Sequence, residues 1–494
     1  MTLALPFAPP LAKEVRGVGT TWLAAVAAVV AAAALDLQFL PDIELAAYLL
    51  GSVSLGALSM GQEYSHRTLP LWLSLPTPRA RLFARKFGVL AVAEITLAVI
   101  AVPVVGVQIR ELPSPWLAVL PPLASVCLAP WLTMAFHSPI AGAAFTLALP
   151  GTLMTSSAAA HLLAYGHGPS GDAQVLVVTW GTLGLCAIGA SLTWRTFARL
   201  EAVDGPGPVL GRPRWLERRA GALEALPPGR RHPLGLLVRK ELNLQRMTTA
   251  TAGFYGLGWL AAMALTPRVP EAPVVLGVLT IFHALAVPVL AGSLAGAEER
   301  QYGTLEWQLL LPVPAATQWR VKIAVVWIVS LLLALGLPAV LLSVLNQADP
   351  AAHLGRLPFI VAVVAIATTS LYVSTLCASS LRAALFSVLA LFVAMLPTSY
   401  VARWLVVSAR PTSLLQSVER LWRAGGLDTA VLGWLILALQ VLLVAGTLVP
   451  VARLALANHR SAEPGGSRPW AQAALVVAWL SAGGLLLFLT VVLR

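Results

Sequence analysis

Charge is what this sequence has least of. Only 11% of its 494 residues are Asp, Glu, Lys or Arg, against 58% hydrophobic residues, and the mean hydropathy is +0.82. A water-soluble domain covers itself with about a quarter charged residues. This chain cannot, so most of its outer surface is expected to face lipid. Cysteine is nearly absent too: Cys127, Cys186 and Cys377 lie far apart in or beside apolar runs, with no C-x-x-C or Cys/His pair. That leaves no basis for a disulfide framework or a zinc site, and the three read as small buried hydrophobes. The run G-x-x-x-x-G-K-[ST], whose backbone cradles nucleotide phosphates, occurs nowhere. The N-terminus, MTLALPFAPPLAKEVR, carries its charges after the apolar stretch, the reverse of a cleaved secretory signal.

The formal net charge of +12 would suggest nucleic acid in a soluble protein. Here no basic stripe is interleaved with exposed aromatics, so no nucleic-acid partner is expected. The basic residues gather between apolar runs, where they set orientation and meet lipid headgroups.

A membrane-crossing helix needs about 20 mostly apolar residues. Such runs fall near 18–35, 43–61, 87–109, 116–136, 138–163 and 174–194, then near 248–266, 273–297, 323–345, 357–377, 383–404 and 430–450, with a further run at 471–493. The expected fold is an all-α polytopic membrane protein of twelve or thirteen helices: two parallel six-helix repeats plus an additional C-terminal span. The corresponding division is a first half at 1–200, a linker at 201–238, a second half at 239–460 and the last span in 461–494. The linker is punctuated by DGPGPVLGRP and LPPGRRHP, which break regular structure. Lys13 and Arg16 precede the first span, and Arg79, Arg81, Arg85 and Lys86 follow the second. The positive-inside rule therefore places the N-terminus in the cytoplasm. Arg403, Arg410, Arg420 and Arg423 fall on the outer side in this arrangement, against the rule.

One segment occurs twice. Residues 63–86, EYSHRTLPLWLSLPTPRARLFARK, align without a gap on residues 299–322, ERQYGTLEWQLLLPVPAATQWRVK, at an offset of 236 positions. Glu63 pairs with Glu299, Thr68 with Thr304, Leu69 with Leu305, Pro76 with Pro312, Pro78 with Pro314 and Lys86 with Lys322. Each copy lies between the second and third spans of its half. Upstream, Lys13-Glu14 and Lys240-Glu241 precede each first span. Thr68 and Thr304 suit the N-cap of a short helix. Pro70 and Glu306 suit its first turn, and Leu75-Pro76 and Leu311-Pro312 end it. About two turns, roughly 10 Å, are expected. Their side chains, among them Trp72 and Trp307, are apolar enough to invite a partner; an interfacial helix resting on headgroups is the plainer alternative.

The order Glu, Gly303-Thr304-Leu305-Glu306, apolar run, Pro-x-Pro, basic residues and Lys resembles the hallmark of ABC-2-type exporter permeases. The first copy departs from it, with Arg67 and Pro70 at the Gly and Glu positions. The resemblance implies that the segment is a coupling helix. Glu63, Thr68, Leu69, Trp72, Pro76, Pro78 and Lys86 would then be ATPase-coupling positions. So would Glu299, Gly303, Thr304, Leu305, Glu306, Trp307, Pro312, Pro314 and Lys322. It likewise implies an interfacial helix at Lys13, Glu14, Lys240 and Glu241. Two copies of a separate ATP-binding-cassette ATPase would dock there, carrying the ATP and magnesium, so that this chain needs no cofactor and is no enzyme. The implied location is the bacterial inner membrane, and the implied cargo an amphipathic or lipid-like small molecule moved outward by alternating access.

Glu94 is the ionisable residue inside a span and hence a substrate-path candidate; its counterpart is Ser330. His283, mid-span, reads better as a bonded core histidine. The resemblance further implies that the outer segments near 160–173 and 403–429 are short re-entrant helices forming an outer gate. An ion-coupled secondary transporter is the alternative from another class; it calls for paired intramembrane acids or bases, and Glu94 is nearly alone. A membrane-embedded enzyme would need clustered catalytic groups at one depth, and none is evident.

Overall fold

Apolar runs of span length, with every backbone group needing an internal partner in lipid, leave helices as the solution for this composition. The computed structural model describes residues 9–35, 43–65, 68–69, 73–74, 76–104, 115–165, 171–200, 233–265, 272–344, 356–407, 429–461 and 468–492, and contains helices but no strand among them. The first set is α1 (Pro9–Leu35), α2 (Ile43–Ser65), α3 (Arg79–Val104), α4 (Leu120–Cys127), α5 (Ala129–Phe136), α6 (Pro139–Tyr165) and α7 (Gly171–Ala198). The second is α8 (Pro233–Leu244), α9 (Arg246–Leu265), α10 (Ala272–Gln301), α11 (Leu305–Leu309), α12 (Ala315–Leu331), α13 (Leu337–Val344), α14 (Arg356–Ser374), α15 (Ser380–Val407), α16 (Thr429–Arg460) and α17 (Arg468–Val492).

Where their residues are described, the expected spans fall largely on helix. Nine helices among the described residues are long and apolar enough to cross a membrane. The expected fourth span is broken into α4 and α5 at Leu128, because Pro130 has no N–H for the carbonyl one turn back. Of the expected outer segments, residues 160–165 belong to the end of α6 and 171–173 to the start of α7, while 166–170 lie outside the described residues; so do 408–428 and most of the linker, 201–232.

Close packing follows small residues. Gly292 and Gly296, four apart on α10, face α14; a Cβ at Gly292 would sit 2.6 Å from the Ala367 carbonyl oxygen, so only glycine admits that approach. A cluster of Val53, Ala57, Leu58, Ala129, Ile140 and Ala143 with Leu294 and Leu381 joins the N-terminal helices to the C-terminal ones. Outward, Val92, Ile95 and Val99 expose one face of α3, at helical spacing and facing lipid.

The rod from Ala315 to Val344 contains one π-turn, Leu332–Gly336, in which Leu337 donates to the Leu332 carbonyl. In that register the Leu333 carbonyl would turn to Pro338, which has no N–H. His283 on α10 supplies the missing donor, with Nε2 at 2.9 Å from Leu333 O and its ring stacked on Tyr255 at 4.0 Å. The bond fixes Nε2 as the protonated nitrogen. His283 is thus the bonded core histidine expected of it. His283→Phe fills the space but strands the carbonyl, and should destabilise the purified protein by about 1–3 kcal/mol in thermal denaturation. His283→Gln, which can donate, should recover part of that loss.

Candidate functional site

The repeated segments and the Lys-Glu pairs upstream of them, far apart in sequence, converge. At the end of α2, Glu63 is 3% exposed. Lys86, near the start of α3, reaches both Glu63 and Glu14 at 2.9 Å, and Lys13 reaches Glu63 at 3.2 Å. In the other copy, Glu299 closes α10, fully buried. Lys322 of α12 lies 2.8 Å from Glu299 and 3.0 Å from Glu241, and gives its remaining hydrogen to the Ala295 carbonyl at 2.6 Å. Lys240 bonds Glu299 and stands 3.5 Å from Glu241. Each site is a charge-neutral quartet of two lysines and two glutamates, joining three helices.

Neutrality matters because taking one ion out of water costs several kcal/mol, offset only by a close partner and further hydrogen bonds. Burial pushes the Glu241 carboxyl above the ordinary carboxylate range, while Lys322 pulls it down.

Each quartet is tied to the start of the repeated segment. In each, the Thr backbone N–H closes a loop back to the Glu carbonyl, Thr68 to Glu63 at 3.1 Å and Thr304 to Glu299 at 2.9 Å. Gly303, at φ +65°, makes that turn in the left-handed region, the usual end of a helix. Thr304 stands at the N-cap of α11 but makes no side-chain capping bond, contrary to the expectation; the turn that Thr68 would cap runs through residues 70–72, outside the described residues. Thr304 Oγ1 turns back to the Glu299 carbonyl at 3.3 Å, and Thr68 Oγ1 bonds the Glu63 carboxylate. The short helix of the second copy is also briefer than two turns, five residues from Leu305 to Leu309. Gln318 Nε2 holds the Gln308 and Val313 carbonyls at 3.0 and 2.8 Å, drawing the chain out of helical register. Gln308 in turn accepts from Lys240, so α11 is fastened to the quartet. Its position in the first copy is Trp72, which with Pro70 and Leu71 lies outside the described residues.

Leu305 packs inward, while Trp307 and Leu310 are 75% and 77% exposed and Glu306 is exposed beside them. Pro78 and Pro314 begin the next helices: their carbonyls accept from Leu82 at 3.2 Å and from Gln318 at 3.1 Å. Pro76 and Pro312 are exposed just before them, and Leu69 is half-buried. Lys240 and Glu241 ride on a separate helix, α8, which breaks from α9 at Gln245 and exposes Leu236 and Leu242. Lys13 and Glu14 instead lie within the continuous α1.

The two sites lie at the same end of the bundle. Arg382, near the start of α15, donates to Gly17 O at 2.9 Å, one turn from Glu14. Ser380 bonds Gln301 at 3.3 Å, two residues from Glu299. Glu94 stands elsewhere, about 12 Å along α3 from Lys86 by helical rise, bonded to Ser52 and Ser125.

Gln308, Gln318, Ser380 and Arg382 were not singled out from sequence. A signal for the quartets was present: the chain has twenty-nine arginines but only four lysines, and all four are quartet members. An ammonium can point three hydrogens at separate acceptors, whereas guanidinium is a planar fork. No family model matches the chain, and no curated protein or solved structure matches it either.

Removing Lys322 should expose the asymmetry of a buried ion site. Lys322→Met leaves Glu241 and Glu299 together without their shared cation and should cost about 3–5 kcal/mol. Lys13→Ala, at a side chain 53% exposed, should cost under about 1 kcal/mol. Chemical denaturation of both variants in one detergent tests the ranking.

Proposed function

We propose that this chain is the membrane-spanning permease subunit of an ATP-driven exporter of the ABC-2 type, two half-permeases fused in tandem. A separate ATP-binding-cassette ATPase would supply the energy. The observation that carries this reading is the exposed apolar surface of Trp307 and Leu310, set on a short helix that is itself fastened to a buried ion quartet. A docking element needs an apolar contact surface on one side and a stiff connection on the other. Here the connection runs to the ends of α8, α10 and α12 together, so a displacement of α11 is delivered to three helices at once.

On this reading the coupling residues divide by role. Trp307, Leu310 and Glu306 meet the ATPase; Glu299, Lys322, Lys240 and Glu241 pass its motion on. Glu63, Lys86, Lys13 and Glu14 do the same for the first half, with Thr68 bonded to Glu63. Closure of two ATPase copies would rock the halves about the junction where α15 meets α1 and α2. The six-plus-six arrangement, the cytoplasmic placement of the quartets, the inner-membrane location and the amphipathic cargo belong to this proposal. α17, packed on α15 and α16, would be a peripheral support.

Trp307→Asp with Leu310→Asp changes only exposed side chains. The variant should purify folded and at normal yield while losing a co-purifying subunit that hydrolyses ATP and carries a phosphate-binding loop. A wild-type chain that purifies alone and transports on a proton gradient without ATP would overturn the proposal in favour of an ion-coupled transporter.

A further inference from the structure

The junction of α2, α3 and α4 holds a carboxyl group with no cation near it. Glu94 is 1% exposed, and Ser52 and Ser125 are fully buried. The helices come this close because residue 56 is glycine; a Cβ there would lie 2.4 Å from the Ser125 carbonyl oxygen. Three oxygen–oxygen contacts result. Ser52 Oγ meets Glu94 Oε2 at 2.7 Å, Ser125 Oγ meets Glu94 Oε1 at 2.5 Å, and Ser125 Oγ also meets the Ser52 carbonyl at 2.7 Å.

Counting hydrogens decides the protonation state. The two hydroxyls bring one donor each, which is one too few for three contacts. A carbonyl cannot donate, so the Ser125 hydrogen goes to Ser52 O. Two oxygens at hydrogen-bond distance are then left facing each other across the Ser125–Glu94 contact, unless the carboxyl carries the missing hydrogen. An ionised Glu94 would moreover be a lone charge in the span, answered by a neutral hydroxyl or two, at a cost of several kcal/mol. A metal ion does not fit the same atoms. Cation–oxygen distances alone run to about 2.0–2.6 Å, and these oxygens already touch one another.

We propose that Glu94 is a proton-binding site: it is carried as the neutral acid, its own O–H donating to Ser125 Oγ, and it gives up the proton only when the α2–α3–α4 junction opens to water. The groups facing it leave no relay. On α2, Tyr48 is the titratable neighbour, its hydroxyl committed to Ala118 O at 3.0 Å. Between its ends α4 offers only serine and apolar residues, with Cys127 at its terminus. α1 has no ionisable residue after Arg16, and α7 none between Asp172 and Arg195 save Cys186. The proton is therefore held, not passed along. Because the matching position is Ser330, this sensitivity belongs to the N-terminal helices alone. The inference does not depend on the exporter proposal.

Infrared spectroscopy of the full chain in bilayers at neutral pH tests it. The wild-type minus Glu94→Gln difference should show loss of one protonated-carboxyl C=O band. In Ser125→Ala that band should persist but shift to higher frequency, having lost its hydrogen-bond acceptor. A difference showing instead the loss of carboxylate bands would overturn the proposal. So would a spectrum in which no protonated-carboxyl band responds to Ser125→Ala, a measurement that decides the matter even if Glu94→Gln fails to fold.

Discussion

The rest of the structure depends on the cost of burying an ammonium. Lys322 has no exposed side-chain surface, and it is tolerable there because all three of its hydrogens find oxygen: Glu299, Glu241 and the Ala295 carbonyl. That requirement positions three helices with respect to one another. The carboxylate of Glu299 must be presented by the last turn of α10, that of Glu241 by α8, and the lysine by α12. Lys86, Glu63 and Glu14 impose the same condition on α3, α2 and α1. Apolar packing in a membrane tolerates sliding and rotation, since lipid tails are as apolar as leucine. A buried ion quartet does not.

The same rule governs the other polar groups discussed above. His283 answers the carbonyl freed by the π-turn at Leu332–Gly336, and Ser52 and Ser125 enclose Glu94. Arg382 and Ser380 at the start of α15 tie the first turns of α1 to the end of α10, spanning the apolar cluster of Val53, Leu58, Leu294 and Leu381. Polar contacts are thus concentrated where helices must hold a fixed relation, and glycine at positions 56 and 292 supplies the close approaches.

Much of this was legible in the sequence, for identifiable reasons. The helices could be located because spans of about 20 apolar residues are a composition signal, independent of tertiary contacts. The doubled segment was legible because its Glu, Thr, Pro and Lys matches are improbable in a chain dominated by Leu, Ala and Val. The quartets were not, since their paired members lie 23 to 81 residues apart across the α1–α2–α3 and α8–α10–α12 contacts and no local pattern records which helices meet. The four lysines among so many arginines were a clue of another sort, one of residue choice. Thr304 illustrates a local rule overridden: an N-cap position is a preference of isolated helices, and its hydroxyl instead turns back to the Glu299 carbonyl. The break of α8 from α9 at Gln245, absent from α1, likewise carries no signal in hydropathy, because both stretches keep their apolar side chains.

The central claim is that the quartet of the second copy binds α11 and three flanking helices into one mechanical unit. Hydrogen exchange read by mass spectrometry on Lys322→Met tests it directly. If the claim holds, protection falls together in α8, the last turns of α10, α11 and the first turns of α12, while α1 to α3 keep theirs. Loss of protection confined to the turns around residue 322, with α8 and α11 unchanged, would contradict it.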